Sequence, residues 1–111
     1  MTAPSTIRRG DVVIAGFRDA TGAEIRKRRP YVVVSPDEQN DAGTMYIVAP
    51  LTTGHHPYVS RVPCKFAGRQ GHVVLDQIQA VYSSRMSGVV GHLGPANLRA
   101  VLAHLREMFK E

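Results

Sequence analysis

The chain has 111 residues, 43% of them hydrophobic, and carries 14 Lys and Arg against 9 Asp and Glu for a formal net charge of +5. That size makes one domain that buries roughly 60 to 70% of its unfolded surface without a disulfide framework, and the positive balance favours a polyanionic partner. No stretch approaches the roughly 18 apolar residues of a membrane-spanning helix; Arg8 and Arg9 have no apolar run behind them to make a secretory leader; and the lone Cys64, which has no partner within the chain, fits a reduced, cytoplasmic compartment.

Residues 1–8 read as a flexible N-terminal tail. Asp11 to Phe17 is an apolar run that predicts a strand, and Arg18 to Arg29 is a polar loop with a Thr21-Gly22 turn signal. Seven of the 14 positive charges (Arg8, Arg9, Arg18, Arg26, Lys27, Arg28 and Arg29) precede the first long buried strand and give this loop a basic face. Pro30 opens the run Tyr31 to Val34 and marks a strand start, because proline fixes φ and has no N–H to place in a ladder. Ser35-Pro36 closes that strand, and Asp37 to Gly43 is expected as a polar connector. Met45 to Leu51 is a third, continuously apolar strand that ends on Thr52 and Thr53.

Thr53 to Pro57 reads as a loop. Tyr58 to Lys65 reads as a half-exposed strand whose broken alternation suggests a bulge near Pro63. Gly68 to Gly71 turns the chain into a strand from His72 to Leu75, which Ile78 to Tyr82 extends or restarts. The period then changes: Leu98, Val101, Leu102, Leu105, Met108 and Phe109 recur at three and four, so Pro95 to Lys110 predicts an amphipathic helix with Pro95 at its first position. Five or six short strands and one helix predict a mainly β fold, a small antiparallel barrel closed by a C-terminal helix, over residues 1–111 as a single domain. The helix serves as a core plug or an oligomer face.

Several residues carry chemistry. Arg29 stands at the mouth of one strand and Thr52-Thr53 at the end of another; if the two strands pair, a fixed cation and a hydroxyl face one mouth, a combination that suits a phosphate. His55 and His56 follow the threonines, and an unperturbed imidazole with pKa near 6.5 exchanges protons at working pH. His72, His92 and His104 read as structural or exposed. No His, Cys or carboxylate spacing matches a metal site, so neither metal nor cofactor is expected. Cys64 reads as a small core hydrophobe.

From Arg9-Gly10-Asp11-Val12-Val13 through Gly22-x-Glu24-x4-Arg29-Pro30, then Leu51-Thr52-Thr53, then Gly71-His72-Val73-Val74-Leu75-Asp76-Gln77, the chain resembles the MazF/PemK toxins. The similarity runs from about Ile7 to Phe109 with the motifs in order. It implies a homodimeric SH3-like or CcdB-like barrel with a terminal helix, acting as a sequence-selective, metal-independent endoribonuclease of a toxin–antitoxin module. It also implies a cognate MazE-like antitoxin whose acidic, partly disordered segment blocks the RNA groove.

RNA cleavage without a metal proceeds by in-line attack of the 2′-hydroxyl on the adjacent phosphorus, through a phosphorane with extra negative charge. The resemblance assigns this chemistry to Arg29, whose planar fork holds nonbridging oxygens while staying protonated, and to Thr52, which adds a hydroxyl donor. Glu24 matches the family's loop glutamate and would orient Arg29; Asp76 matches its aspartate and would accept a hydrogen bond or serve as a turn residue. Some members place a histidine before the loop glutamate and an arginine two positions before the aspartate, where this chain has Ala23 and Val74. Single-stranded RNA would be held through unpaired bases, with Arg18, Arg26, Lys27, Arg28 and Thr53 as contacts and Tyr58 either stacking a base or packing its strand. Two other readings stay open: a CcdB-like toxin that binds gyrase, and a noncatalytic nucleic-acid-binding barrel.

Overall fold

The computed structural model describes residues 7–16, 28–53 and 61–111. Among these the elements run β1 (Asp11–Ala15), β2 (Arg29–Val33), α1 (Asp37–Asp41), β3 (Met45–Thr53), β4 (Arg61–Phe66), β5 (Arg69–Val74), β6 (Gln79–Tyr82), β7 (Met86–His92) and α2 (Pro95–Phe109). The seven strands form one antiparallel sheet in the order β4-β5-β3-β2-β1-β7, with β6 also paired to β3. The expected barrel with a C-terminal helix is therefore present, with more strands than the five or six predicted.

β3 is the hinge of this topology. One of its edges pairs with β2 (Tyr31↔Pro50, Val33↔Val48). The other pairs with β6 over Met45 to Val48 and then with β5 over Leu51 to Thr53. Both faces of β1, β2 and β3 are buried, which is why these strands read as unbroken apolar runs instead of alternating ones. Val12, Val32, Ala49 and Leu51 join one core with Val62, Cys64, Val73, Leu75 and Val101. Val13, Ala15, Tyr31, Val33, Tyr46 and Val48 form the second, on the opposite face.

The sheet curls so that its two ends meet. A Cβ at Gly91 of β7 would lie 2.5 Å from the Phe66 ring of β4, so the absent side chain is what lets the ring seat there. α2 caps the first core with Val101, Leu98 and Leu105. At Gly10 the backbone has φ +95°, and a Cβ would approach Leu98 Cδ2 to 2.9 Å, so a glycine serves both the turn and the helix contact. The end of the helical stripe behaves differently: Met108 and Phe109 are exposed.

Four expectations are corrected. The stretch Asp37 to Gly43 is not merely a connector, because Asp37–Asp41 forms a helical turn anchored by a buried polar pair. Ser35 Oγ donates to Asn40 Oδ1 at 2.6 Å, Asn40 Nδ2 donates to the Ser35 carbonyl at 3.0 Å, and the Ile47 N–H donates to Ser35 Oγ at 3.1 Å. No bulge occurs at Pro63, since β4 and β5 keep register from Arg61↔Val74 to Phe66↔Arg69; β4 is an edge strand, where a missing N–H can face solvent. The irregularities fall instead between β1 and β7, on either side of Val13. β5 begins at Arg69, three residues before the expected start, and β7 was not foreseen at all because its Met-Ser-Gly-Val-Val-Gly-His run shows no alternation and is largely exposed.

Of the expected tail, residues 1–6 lie outside the described residues. Ile7 packs on the second core, and Arg8 pairs with Asp37 at 3.0 Å and Asp41 at 2.7 Å. Asp37 also accepts the Arg9 N–H at 2.7 Å; that bond, with the Arg8 guanidinium behind it, holds its carboxyl below the usual carboxylate range.

Two outcomes are expected. Asn40→Leu leaves the Ser35 carbonyl and the Ser35 O–H donor without their Asn40 partner in the interior and should cost about 1–3 kcal/mol, read as a lower urea midpoint at unchanged slope. Because the folded-state pKa of Asp37 is depressed, its contribution is complete above the unfolded value near pH 4 and is lost as pH falls through the folded one. Asp37→Asn should therefore be less stable than the parent at pH 7, with the gap closing toward pH 2; a pH-independent gap would refute this linkage.

Candidate functional site

The start of β2 and the end of β3 lie side by side. Arg29 is the first residue of β2, pairs with Ala15 of β1, and is exposed. Extending the β2–β3 register by two residues beyond Tyr31↔Pro50 sets Arg29 beside Thr52. Thr52 is half-buried, and its Oγ1 is shielded from solvent with no hydrogen-bond partner among the described residues. An unsatisfied buried hydroxyl costs on the order of 1–3 kcal/mol and calls for an explanation, of which a missing ligand is one.

The row continues onto β5, where Thr52 pairs directly with His72. Directly opposed residues project to one face, so Arg29, Thr52 and His72 stand on three neighbouring strands with about 4.8 Å between each strand and the next. Gly71 makes the last step close: a Cβ there would lie 2.3 Å from the Thr52 carbonyl oxygen, which is backbone and cannot swing away. Arg29 also acts on Tyr31, two residues along the same strand. Burial pushes the Tyr31 phenol up, and the Arg29 charge pulls it back part of the way.

On the other side of the strand end lies a pocket of about 200 Å³, lined by Pro30, Leu51, Thr53, Cys64, Phe66 and Arg69 and touching Thr52. Its walls are mainly apolar, and Arg69 is its cation. Burial raises the Cys64 thiol, and the side chain forms part of the pocket wall.

The remaining predicted residues fall in three groups. Thr53 ends β3, exposed, at this pocket. Arg28 reaches away from Thr52, donating to Ser87 Oγ of β7 and, at 3.4 Å, to the Ile14 carbonyl of β1. Asp76 sits exposed in a 3-10 turn, Leu75–Gln77, and no hydrogen bond joins it to Arg29. Arg18, Glu24, Arg26, Lys27, His55, His56 and Tyr58 lie outside the described residues. His72, which the sequence reads as structural or exposed, stands in this row because β5 starts at Arg69 and carries it across from Thr52. Among the described residues no group of three or more His, Cys, Asp or Glu could hold a metal ion.

The family described as PemK-like, MazF-like toxin of type II toxin-antitoxin system matches residues 8–109. The chain belongs to this family. It is 28% identical over 97 residues to the endoribonuclease toxin MazF of Escherichia coli (strain K12), covering 86% of this chain and 87% of that one. The fold matches that of a MazE–MazF crystal structure from Deinococcus radiodurans at TM-score 0.77 and 24% identity, covering 92% of this chain and 94% of that one. An endoribonuclease in complex with its cognate antitoxin from a Mycobacterial species gives TM-score 0.75 at 20% identity, covering 92% and 93%.

In this MazF-like toxin the glycines should separate packing from conformation. Gly71→Ala should lose about 1–3 kcal/mol of stability, because the strand must move off the Thr52 backbone. Gly88→Ala, with nothing within 4 Å of the added carbon, should stay within about 0.5 kcal/mol of the parent. Equal midpoints for the two variants in thermal unfolding would remove the role given to Gly71.

Proposed function

We propose that this chain is the endoribonuclease toxin of its module, cutting single-stranded RNA at selected sequences without a metal. The observation that carries this reading is the buried, unpartnered Thr52 hydroxyl beside the exposed Arg29. A phosphate bound there receives two donors that cost no rearrangement when charge builds up, which is where most rate enhancement of this kind arises. The 2′-hydroxyl attacks the adjacent phosphorus, Arg29 and Thr52 hold the nonbridging oxygens of the phosphorane, and the products are a 2′,3′-cyclic phosphate and a 5′-hydroxyl. The name endoribonuclease carried by the Escherichia coli relative supports the same activity.

The partners follow from charge and surface. A net charge of +5 suits both RNA and an acidic antitoxin segment, and relatives of this fold have been crystallised as MazE–MazF complexes. Among the described residues β7 pairs only with β1, and it leaves Val89 43% and Val90 53% exposed, with Tyr82 of β6 at 55%. An apolar strand edge of this kind is normally covered, and a second copy of the chain covers it in the homodimer we infer. The toxin acts in the cytoplasm, where mRNA and a reduced Cys64 are found together.

The decisive assay incubates the protein with single-stranded RNA in excess EDTA, beside a substrate carrying a 2′-deoxy residue at the cut site. Cleavage should survive chelation and stop at the deoxy position; cleavage of the deoxy substrate would exclude the 2′-hydroxyl route. Thr52→Val gives a sharper contrast, because it removes a hydroxyl that has no partner among the described residues. It should leave stability unchanged or slightly raised while lowering kcat about 10²- to 10³-fold, as should Arg29→Ala. Full turnover by both variants would eliminate the assignment.

A further inference from the structure

The reaction needs a proton delivered to the leaving oxygen, and Arg29, which stays protonated throughout, does not supply it. We infer that His72 is the general acid that protonates the departing 5′-oxygen, an inference that rests on the ribonuclease reading. His72 stands directly across from Thr52 in the β3–β5 ladder, on the same face, with Cβ atoms about 4.5–5.5 Å apart as in any opposed pair. It is half-buried, with Nδ1 shielded from solvent. A phosphate held by the Thr52 hydroxyl thus has Arg29 on the β2 side and an imidazole on the β5 side. In-line displacement needs that layout, with charge stabilised across the equatorial oxygens and a proton donor at one apex.

The surroundings of His72 favour the role. On its own strand Gln70 and Val74 share its face; Pro63 of β4 lies opposite, with Arg61 and Lys65 two residues to either side; β3 contributes Thr52 and Pro50. The charged groups on this face of β3, β4 and β5 are cations, with Arg29 one strand further on, and Asp76 lies past the strand end in its 3-10 turn. These cations draw the phosphate in, and histidine is the one side-chain type among them that exchanges protons readily near neutral pH. In the step itself the O2′–P bond forms as the 2′-hydroxyl gives its proton to water. The P–O5′ bond breaks, its electron pair stays on O5′, and O5′ takes the proton from His72 Nε2. The neutral imidazole regains a proton from solvent, so no co-reactant is consumed.

The test compares His72→Gln with the parent on two RNAs sharing a cut site first mapped with the parent: one ordinary, one with sulfur replacing the bridging 5′-oxygen. A thiolate leaves without protonation. The variant should lose roughly 10²- to 10⁴-fold in kcat on ordinary RNA, approach parent rates on the sulfur substrate, and bind a 2′-deoxy analogue as the parent does. His72→Asn repeats the comparison, and the variant scored is one that keeps the parent's thermal midpoint. Equal losses on both substrates, or parent-level cleavage of ordinary RNA, would overturn the role of His72 alone. A parent protein that leaves RNA intact in EDTA would overturn the ribonuclease reading beneath it.

Discussion

Everything in this molecule is arranged around the change of partner along β3. Its nine residues hold β2 on one edge, while the other edge passes from β6 to β5 near Ala49-Pro50. Proline, which contributes no donor to a ladder, sits where the hand-over occurs. Because both faces of the strand are buried, a slip of one residue would exchange the contents of two cores, so the register is fixed by packing. That fixed register is what brings Arg29, Thr52 and His72 into one row, although 43 positions separate the first from the last in the sequence.

The row carries a local cost that the cores can sustain. Leaving the Thr52 hydroxyl buried and unpaired subtracts about 1–3 kcal/mol. Each fully buried valine beside it contributes about 1.5 kcal/mol or more, and Val48, Val32 and Val73 are all inaccessible to solvent. Gly71 adds a second concession, since it packs no side chain, in return for a backbone approach that no other residue allows. Thr52 and Gly71 thus give up local stability at the same place, the row that the proposed chemistry would use. The buried polar pair at α1 is matched: Ser35 and Asn40 satisfy each other and the Ile47 amide.

The parts of this arrangement that were legible in the sequence are those set by strong local signals. Pro30 marked the start of β2, the threonines marked the end of β3, and the three-and-four spacing after Pro95 gave α2 nearly to the residue. Non-local effects stayed hidden. The α1 turn depends on Asn40 reaching back to Ser35, which no composition rule announces in a polar stretch. β7 is an exposed edge with two glycines, so it carries neither alternation nor an apolar run. The pairing of His72 with Thr52 depends on where β5 begins, and Gly68 to Gly71 looked like a turn because glycine serves turns and close approaches alike. Membership of the MazF-like toxins, by contrast, was readable from ordered motifs because these mark strand ends and the close approach at Gly71.

The central claim is that the row at the end of β3 is a phosphate seat. It is tested most directly by a crystal structure of the protein with a single-stranded oligonucleotide whose cut site carries a 2′-deoxy residue. The account predicts the scissile phosphate within hydrogen-bond distance of Thr52 Oγ1 and of an Arg29 guanidinium nitrogen. A scissile phosphate bound away from both, for example on Arg69 at the neighbouring pocket, would contradict it.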